Sequence, residues 1–410
     1  MIYVYGGGTF SHVRAHMALA TPAFGSTATA IHAMLQERGV ESELRLTAMA
    51  GGQMVTNEDV ANDIDTVIAD PQTKMIILNV AFCDFDGSVV DEDGQTTASG
   101  KYAERLKTMN GQQTLRLTPS EKIIKRIRKD RKDIFLVAFK TTVDATDKEQ
   151  YLAGLNLLKA NSANLVLAND LTTRRNIVIT PEESYYGETT DRHAALTTLL
   201  DMALARSKNT FTRSTVVDAP PVDWMSPNVP ENLRAVVDHC IKRGAYKPFR
   251  NATVGHFAVR LTDNSIITSR RKHDFNRLRE DGMIEVEYEG LDKVVAKGGK
   301  PSVGGQSQRI IFDSHPDLDC IVHFHCPIKK DAVDNIPVAP QWFNECGSIN
   351  CGLNTSDNLE PVRGRSDMKV VMLDNHGPNI VFNRNTPAED VIEFIEQNFD
   401  LEDKTGGLVS

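Results

Sequence analysis

Three histidines carry the clearest chemical signal in this chain. Asp319-Cys-Ile-Val-His-Phe-His325 is an apolar run ending in two histidines at i and i+2. Side chains alternate along a β-strand, so His323 and His325 project from one face, as two ligands of one ion must. Neutral imidazole is the commonest protein ligand for zinc and related divalent metals, and a catalytic site needs a third protein ligand that leaves a position for water or substrate. Lys369-Val-Val-Met-Leu-Asp-Asn-His376-Gly377 supplies a candidate, a second strand that ends in a histidine, with a glycine that allows a sharp turn. A His-x-His strand end taken alone also fits plain hydrogen-bonded polar residues. A second constellation lies near the N-terminus, where Val4-Tyr5-Gly6-Gly7-Gly8-Thr9 reads as a strand running into glycines, with a loop and then a helix from Gly25-Ser26. Backbone amides in such a turn approach a phosphate, and the helix N-terminus favours its charge. The run is neither GxGxxG nor GxxxxGK[ST], so it fits a purely structural turn as well.

The elements that must position these residues divide the chain in two. In the first half, Ile2–Tyr5, Met75–Phe82, Ile134–Phe139, Asn164–Ala168 and Ile177–Ile179 are rich in Ile, Val and Leu, as strands buried on both faces are. Helical patterns lie between them. One begins at Ser26 and stops at Gly39; another is Ser120-Glu-Lys-Ile-Ile-Lys-Arg-Ile-Arg-Lys, with Glu121 at the favourable end of the helix dipole. This alternation predicts a parallel sheet covered by helices. Pro220, Pro221, Pro227 and Pro230 mark an interdomain linker. Beyond it come a helix over 231–243 and the β-type runs Thr253–Leu261, Ile266–Thr268, Met283–Tyr288, Cys320–His325 and Val370–Leu373. The expected domains are 1–206, a linker 207–230, a metal-binding domain 231–400 and a flexible tail 401–410.

Bulk properties narrow the function. At 410 residues the chain exceeds what one core usually supports, and 40% hydrophobic with 25% charged residues is ordinary soluble composition. A net charge of −9 argues against general nucleic-acid affinity. No run approaches the roughly 20 apolar residues needed to span a bilayer, and the N-terminus lacks a charged region before its short apolar stretch, so a cytoplasmic protein without a membrane segment is expected. Six scattered cysteines with no CxxC fit reduced thiols.

From about residue 232 to 398 the chain resembles the class II aldolase and adducin head family. The resemblance lies in Lys300-Pro-Ser-Val-Gly-Gly-Gln-Ser-Gln-Arg, which matches a Pro-Ser-Ser-Glu turn and helix, in Ser314-His-Pro-Asp before the His-x-His strand, and in Asn375-His376-Gly377. It implies an α/β/α domain with a central, mainly antiparallel sheet, and a divalent ion on His323, His325 and His376: zinc first, with manganese and iron open. It also implies phosphate or substrate contacts at Thr268, Ser269, Arg270, Arg271 and Ser302. Gly304 stands where the family has its acid/base Glu, and glycine cannot transfer a proton. Glu345, in a segment that in the family lies near the metal, is the substitute catalytic carboxylate to consider.

From Gly6 to about Ala205 the chain is similar to the phosphopantothenoylcysteine synthetase domain, through Gly7-Gly-Thr9, Val13-Arg14, Gly25, Val80-Ala-Phe-Cys-Asp84-Phe, Val137-Ala-Phe139-Lys140 and Leu165-Val-Leu-Ala-Asn169-Asp170. A Rossmann-like fold holding a CTP-like nucleotide at Gly7, Gly8, Thr9, Asp84, Phe139 and Asn169 is implied. The family's Ser-Asn-x-Ser-Ser-Gly segment is replaced by Met17-Ala18-Leu-Ala-Thr-Pro22, and Ala18 cannot hydrogen-bond an intermediate through its side chain. The resemblances together point to a metal-dependent, aldolase-like lyase or isomerase acting on a small phosphorylated or nucleotide-linked substrate. The alternatives are a phosphopantothenate–cysteine ligase with an appended aldolase-like domain, or a non-catalytic binding or assembly protein. Both families form homo-oligomers, and one is expected here.

Overall fold

In the computed structural model, residues 1–91, 93–262, 265–290, 293–302 and 305–405 are described. The chain is mixed α/β, with a Rossmann-like parallel sheet in its N-terminal half and a mainly antiparallel sheet in its C-terminal half. By internal contacts it forms two compact units. One comprises Met1–Asp144, Ala153–Val178 and Thr189–Ala203; the other comprises Ala145–Leu152, Ile179–Glu188 and Leu204–Ser410.

The first unit is built on a sheet in which the strands beginning at Asn176, Leu165, Phe135, Met75, Ile2 and Ser42 lie side by side in that order. The five from Leu165 to Ser42 are mutually parallel. Burial of Val4, Ile76, Ile77, Leu136, Val137, Val166 and Leu167 explains their unbroken apolar character. The strand Ser42–Leu46, polar in composition and half-buried, is an edge that periodicity misses. Three further differences from the sequence reading are local. The first strand continues through the glycines to Gly8, pairing Gly6 with Asn79 and Gly8 with Ala81, so they are not a loop. The hairpin Phe10–Arg14 and Met17–Ala20 precedes the helix Ser26–Glu37. The helix expected from Ser120 begins at Ile124, and Glu121, ahead of it, holds Arg126 through paired contacts of 2.9 and 2.7 Å.

The second unit is organised by a ten-stranded sheet. Its long path runs through the strands starting at Arg213, Lys293, Ile284, Ser265, His256, Cys320, Gly377, Met368 and Val338, with Glu360–Pro361 beside Met368–Leu373. The stretch read as a linker therefore contains a strand, Arg213–Val217, parallel to Lys293–Lys297. Alternate residues build two cores. Phe257, Val259, Val322, Ile380 and Phe382 pack with Leu233, Val236, Val391 and Ile395, from the helices Glu231–Lys242 and Ala388–Asn398. Ala258, Ile321 and Val381 pack with Ile311, Phe312 and Cys351, from Gly305–Ser314 and Ile349–Asp357. Helices thus cover both faces of the sheet. All six cysteines are free. Among the described residues no helix is long and apolar enough to cross a membrane. At the C-terminus Leu401 and Lys404 are buried, and Thr405 N–H donates to the His325 carbonyl at 3.2 Å; residues 406–410 lie outside the described residues.

Candidate metal centre

His323 ends the strand Cys320–His323, where it stands opposite His256 on one neighbour and Asn379 on the other. His325 follows just beyond the strand end. His376 occupies the loop between Met368–Leu373 and Gly377–Phe382. One ring nitrogen from each of the three lies within 4.8 Å of the others. The rings stand edge to face, with centroids 4.6 to 5.1 Å apart. All three residues are buried, at 1–3% exposure.

Hydrogen bonding shows how these imidazoles are prepared. His323 Nδ1 donates to the Pro378 carbonyl at 2.9 Å, which leaves Nε2 as the atom carrying a lone pair. His323 Nε2, His325 Nδ1 and His376 Nδ1 are buried without a hydrogen-bond partner among the described residues. Buried polar atoms are nearly always satisfied, so an orphaned nitrogen on each of three histidines whose ligand atoms lie within 4.8 Å of one another fits the donor set of a divalent metal. Burial pushes His323 down to about 4, and burial followed by mutual repulsion holds His325 and His376 well below the ordinary histidine value. The neutral form is the one that ligates.

Backbone geometry makes room for this cluster. A Cβ on Gly377 would lie 2.0 Å from the Phe324 carbonyl oxygen, and one on Gly255, at φ +134°, would lie 2.7 Å from that of His323. His256 stacks on His323 at 4.6 Å and accepts at Nδ1 from Gln308 Nε2 at 2.7 Å, while Gln308 Oε1 accepts from Thr268 Oγ1 at 2.8 Å.

The other expected residues fall in several places. Thr268 is buried and committed to Gln308. Arg270 donates to the Asp281 and Gly298 carbonyls at 2.8 and 3.4 Å, a structural use. Arg271 and Ser302 line a cavity of about 150 Å³ together with Lys300, Thr212 and Ser214. The hydroxyl oxygens of Ser302, Ser269 and Thr212 are buried without partners among the described residues, and Ser302 N–H donates to the Ser269 carbonyl at 3.0 Å. Glu345 is half-buried, its N–H on Asn209 Oδ1 at 2.6 Å, and it does not join the histidine group. Gly304 lies outside the described residues.

In the first unit, Gly7 (φ +104°) and Gly8 are needed by the protein itself. A Cβ would lie 2.1 Å from Thr47 Oγ1 at Gly7 and 2.0 Å from the Thr21 carbonyl at Gly8. Thr9 is buried, donating to Asn57 Oδ1 at 2.6 Å and accepting from Cys83 N–H at 2.8 Å. Asp84 pairs with Lys122 at 2.5 Å on the surface. Phe139 and Asn169 are half-buried on adjacent parallel strands, and Asn169 accepts from Thr141 Oγ1 at 3.3 Å.

Sequence reasoning missed the buried ion pair of Arg206 and Glu182, Lys247, and the hydroxyls of Ser184 and Tyr186 around the His376 loop. Their partners lie far away in the chain, and no local pattern marks them.

Comparison with known proteins follows the same division. Residues 236–401 match the model of the Class II Aldolase and Adducin N-terminal domain. A methylthioribulose-1-phosphate dehydratase from Stenotrophomonas maltophilia is 23% identical over 116 residues, covering 28% of this chain and 53% of that relative. The chain thus spans about half the length of that curated relative. Among solved structures, the DNA/pantothenate metabolism flavoprotein from Streptococcus pneumoniae aligns with TM-score 0.42 and 21% identity, over 50% of this chain and 98% of its own. An L-fuculose 1-phosphate aldolase aligns with TM-score 0.30 and 17% identity, over 40% of this chain and 80% of its own. The C-terminal half resembles the class II aldolase and adducin head domain. The N-terminal half resembles the phosphopantothenoylcysteine synthetase domain.

Proposed function

We propose that this protein is a divalent-metal-dependent lyase or isomerase of the class II aldolase type, acting on a small phosphorylated carbonyl compound. One observation carries the proposal: three buried, neutral imidazoles bring ligand nitrogens within 4.8 Å of one another, and each has a ring nitrogen without a partner among the described residues. His323, His325 and His376 would hold the ion, and zinc is the ion we propose. A divalent metal so held is a Lewis acid that polarises a carbonyl or hydroxyl oxygen. The chain does the rest. His323 is locked in one tautomer by Pro378, and the apolar strands around the cluster exclude water. Arg271, Lys300 and the hydroxyl of Ser302 form the phosphate grip, with Ser269 bonded to Ser302 behind it, since two cations and an orphaned hydroxyl around one cavity suit a dianion. Glu345 is the carboxylate proposed to move a proton, in place of the Glu that Gly304 lacks.

The relative's name describes the dehydration of a phosphorylated keto sugar, a lyase reaction of the same carbonyl type. Phosphorylated ketoses are therefore the substrate class to screen. The test is turnover of such a panel by the metal-loaded chain, with chelator and with His323→Ala. Activity that survives both treatments, or no turnover of any member, counts against the proposal.

For the first unit we propose nucleotide binding, with a CTP-like ligand. The strand at Ile2 has Ser42–Leu46 on one side and Met75–Ala81 on the other, so the chain reverses its direction of travel across the sheet there. Open parallel sheets bind ligands beyond the carboxyl ends of strands at such a switch point. Gly8 and Asp84 lie at or just past those ends. Thermal shift of the full chain with CTP tests this, and no shift at millimolar ligand refutes it. A homo-oligomer is proposed as well, to be checked by light scattering.

A further inference from the structure

Asp374, Asn375 and His376 form the whole loop between the strands Met368–Leu373 and Gly377–Phe382, because Leu373 pairs directly with Gly377. The carbonyls of so short a loop have no ladder partners, and Asn375 stands in the left-handed region at φ 52°. The path of these three residues sets where the His376 ring points. Each carbonyl accepts from a hydroxyl brought from elsewhere. Tyr186 OH donates to Asp374 O at 3.0 Å, Ser184 Oγ donates to Asn375 O, and Thr405 Oγ1 donates to His376 O. Ser184 and Tyr186 lie 191 and 188 residues away from their acceptors, in the segment Ile179–Glu188.

That segment is itself firmly held. Glu182 is in the buried pair with Arg206, and Lys247 Nζ donates both to the Glu183 carbonyl at 3.1 Å and to the Thr405 carbonyl at 3.0 Å. The loop carrying His376 is therefore clamped by a segment that is itself tied by a buried ion pair and by Lys247, with Ser184 fully buried.

We propose that Ser184 and Tyr186 are positioning residues of the metal centre, their hydroxyls fixing the 374–376 loop so that the His376 ring stays in place beside His323 and His325. The proposal rests on the metal-binding reading above. Neither residue ligates; each acts through the backbone of the third ligand.

The experiment uses the full chain loaded with zinc. Release to a chromophoric chelator is timed for the parent and for Ser184→Ala, Tyr186→Phe and Tyr151→Phe. Loss of an outer hydrogen bond at a metal site typically lowers metal affinity about 10- to 100-fold, so release should quicken by that factor in the first two variants. Tyr186→Phe removes only a hydroxyl, and it carries the test if Ser184→Ala does not fold. Tyr151→Phe deletes a hydroxyl bond to the Glu183 carbonyl (2.7 Å) in the same segment but none to the loop, and should release zinc at the parent rate. Unchanged release in Ser184→Ala and Tyr186→Phe overturns the positioning role while leaving the metal site standing. Equal acceleration in Tyr151→Phe overturns it too, because general loosening would then explain the effect. A parent that takes up no zinc removes the metal reading and this inference together.

Discussion

Replacing Arg206 by Met should destabilise the second unit and reverse the sign of one pH dependence. The guanidinium and the Glu182 carboxylate are both essentially inaccessible, at 0% and 1% side-chain exposure. Arg206 Nη1 reaches both carboxylate oxygens at 3.0 Å, Nε donates to the Trp342 carbonyl at 2.8 Å, and Nη2 to that of Gln341 at 3.4 Å. Met fills similar volume but strands the carboxylate and two carbonyls. Breaking a buried pair from one side costs about 3–5 kcal/mol. The Cys346 N–H still reaches Glu182 Oε1 at 2.6 Å, so the lower end is expected, about 3 kcal/mol. For a unit of this size that is a fall of roughly 6–12 °C in Tm.

The pH dependence identifies the cause. Burial alone pushes the Glu182 carboxyl up, but Arg206 and hydrogen bonds from Thr180 and Cys346 hold it below its ordinary value. Its contribution in the parent is present above the ordinary carboxylate range and lost as pH falls through the depressed value. Without the guanidinium the upward push dominates, so in the variant stability is retained at low pH and lost as pH rises. The deficit of the variant relative to the parent should therefore widen from pH 4.5 towards pH 7, by at most about 1.4 kcal/mol per pH unit. Denaturant titrations at four pH values measure it. A deficit below about 1 kcal/mol, or one that is flat with pH, refutes the reasoning.

Three further outcomes follow from the site. Gly377→Ala forces a Cβ against the Phe324 carbonyl at 2.0 Å, so the His376 loop must shift; a loss of about 1–3 kcal/mol in denaturant unfolding is expected. Gln308→Leu removes the partner of both His256 Nδ1 and Thr268 Oγ1 and should cost about 1–3 kcal/mol, read by the same titration. Arg271→Ala and Lys300→Ala should each weaken binding of inorganic phosphate by roughly tenfold or more in calorimetry, while leaving Tm nearly unchanged.

The histidine cluster was legible because each of its parts is local: alternation in a strand brings His323 and His325 together, and the Asn375-His376-Gly377 turn supplies the third. The buried parallel strands were equally plain, since burial on both faces demands unbroken apolar runs. What sequence reading lost depends on distant partners. Gly6 to Gly8 looked like a phosphate loop but form a strand, with the space beside Gly7 and Gly8 filled by Thr47 and Thr21. Glu121 looked like a helix-dipole residue, yet its carboxylate is taken by Arg126 before the helix begins. Arg270 and Arg271 are adjacent and chemically identical; only the fold separates the one tied to carbonyls from the one at the cavity. Ser184 and Tyr186 carry no motif at all, and their meaning exists only opposite the loop at 374–376.

The central claim is that His323, His325 and His376 hold one divalent ion, and elemental analysis of the full chain after zinc loading and desalting tests it most directly. About one ion per chain is expected for the parent, and almost none for His323→Ala, which removes the ligand whose tautomer Pro378 sets. No bound metal in a folded parent, or full occupancy in His323→Ala, would contradict the account.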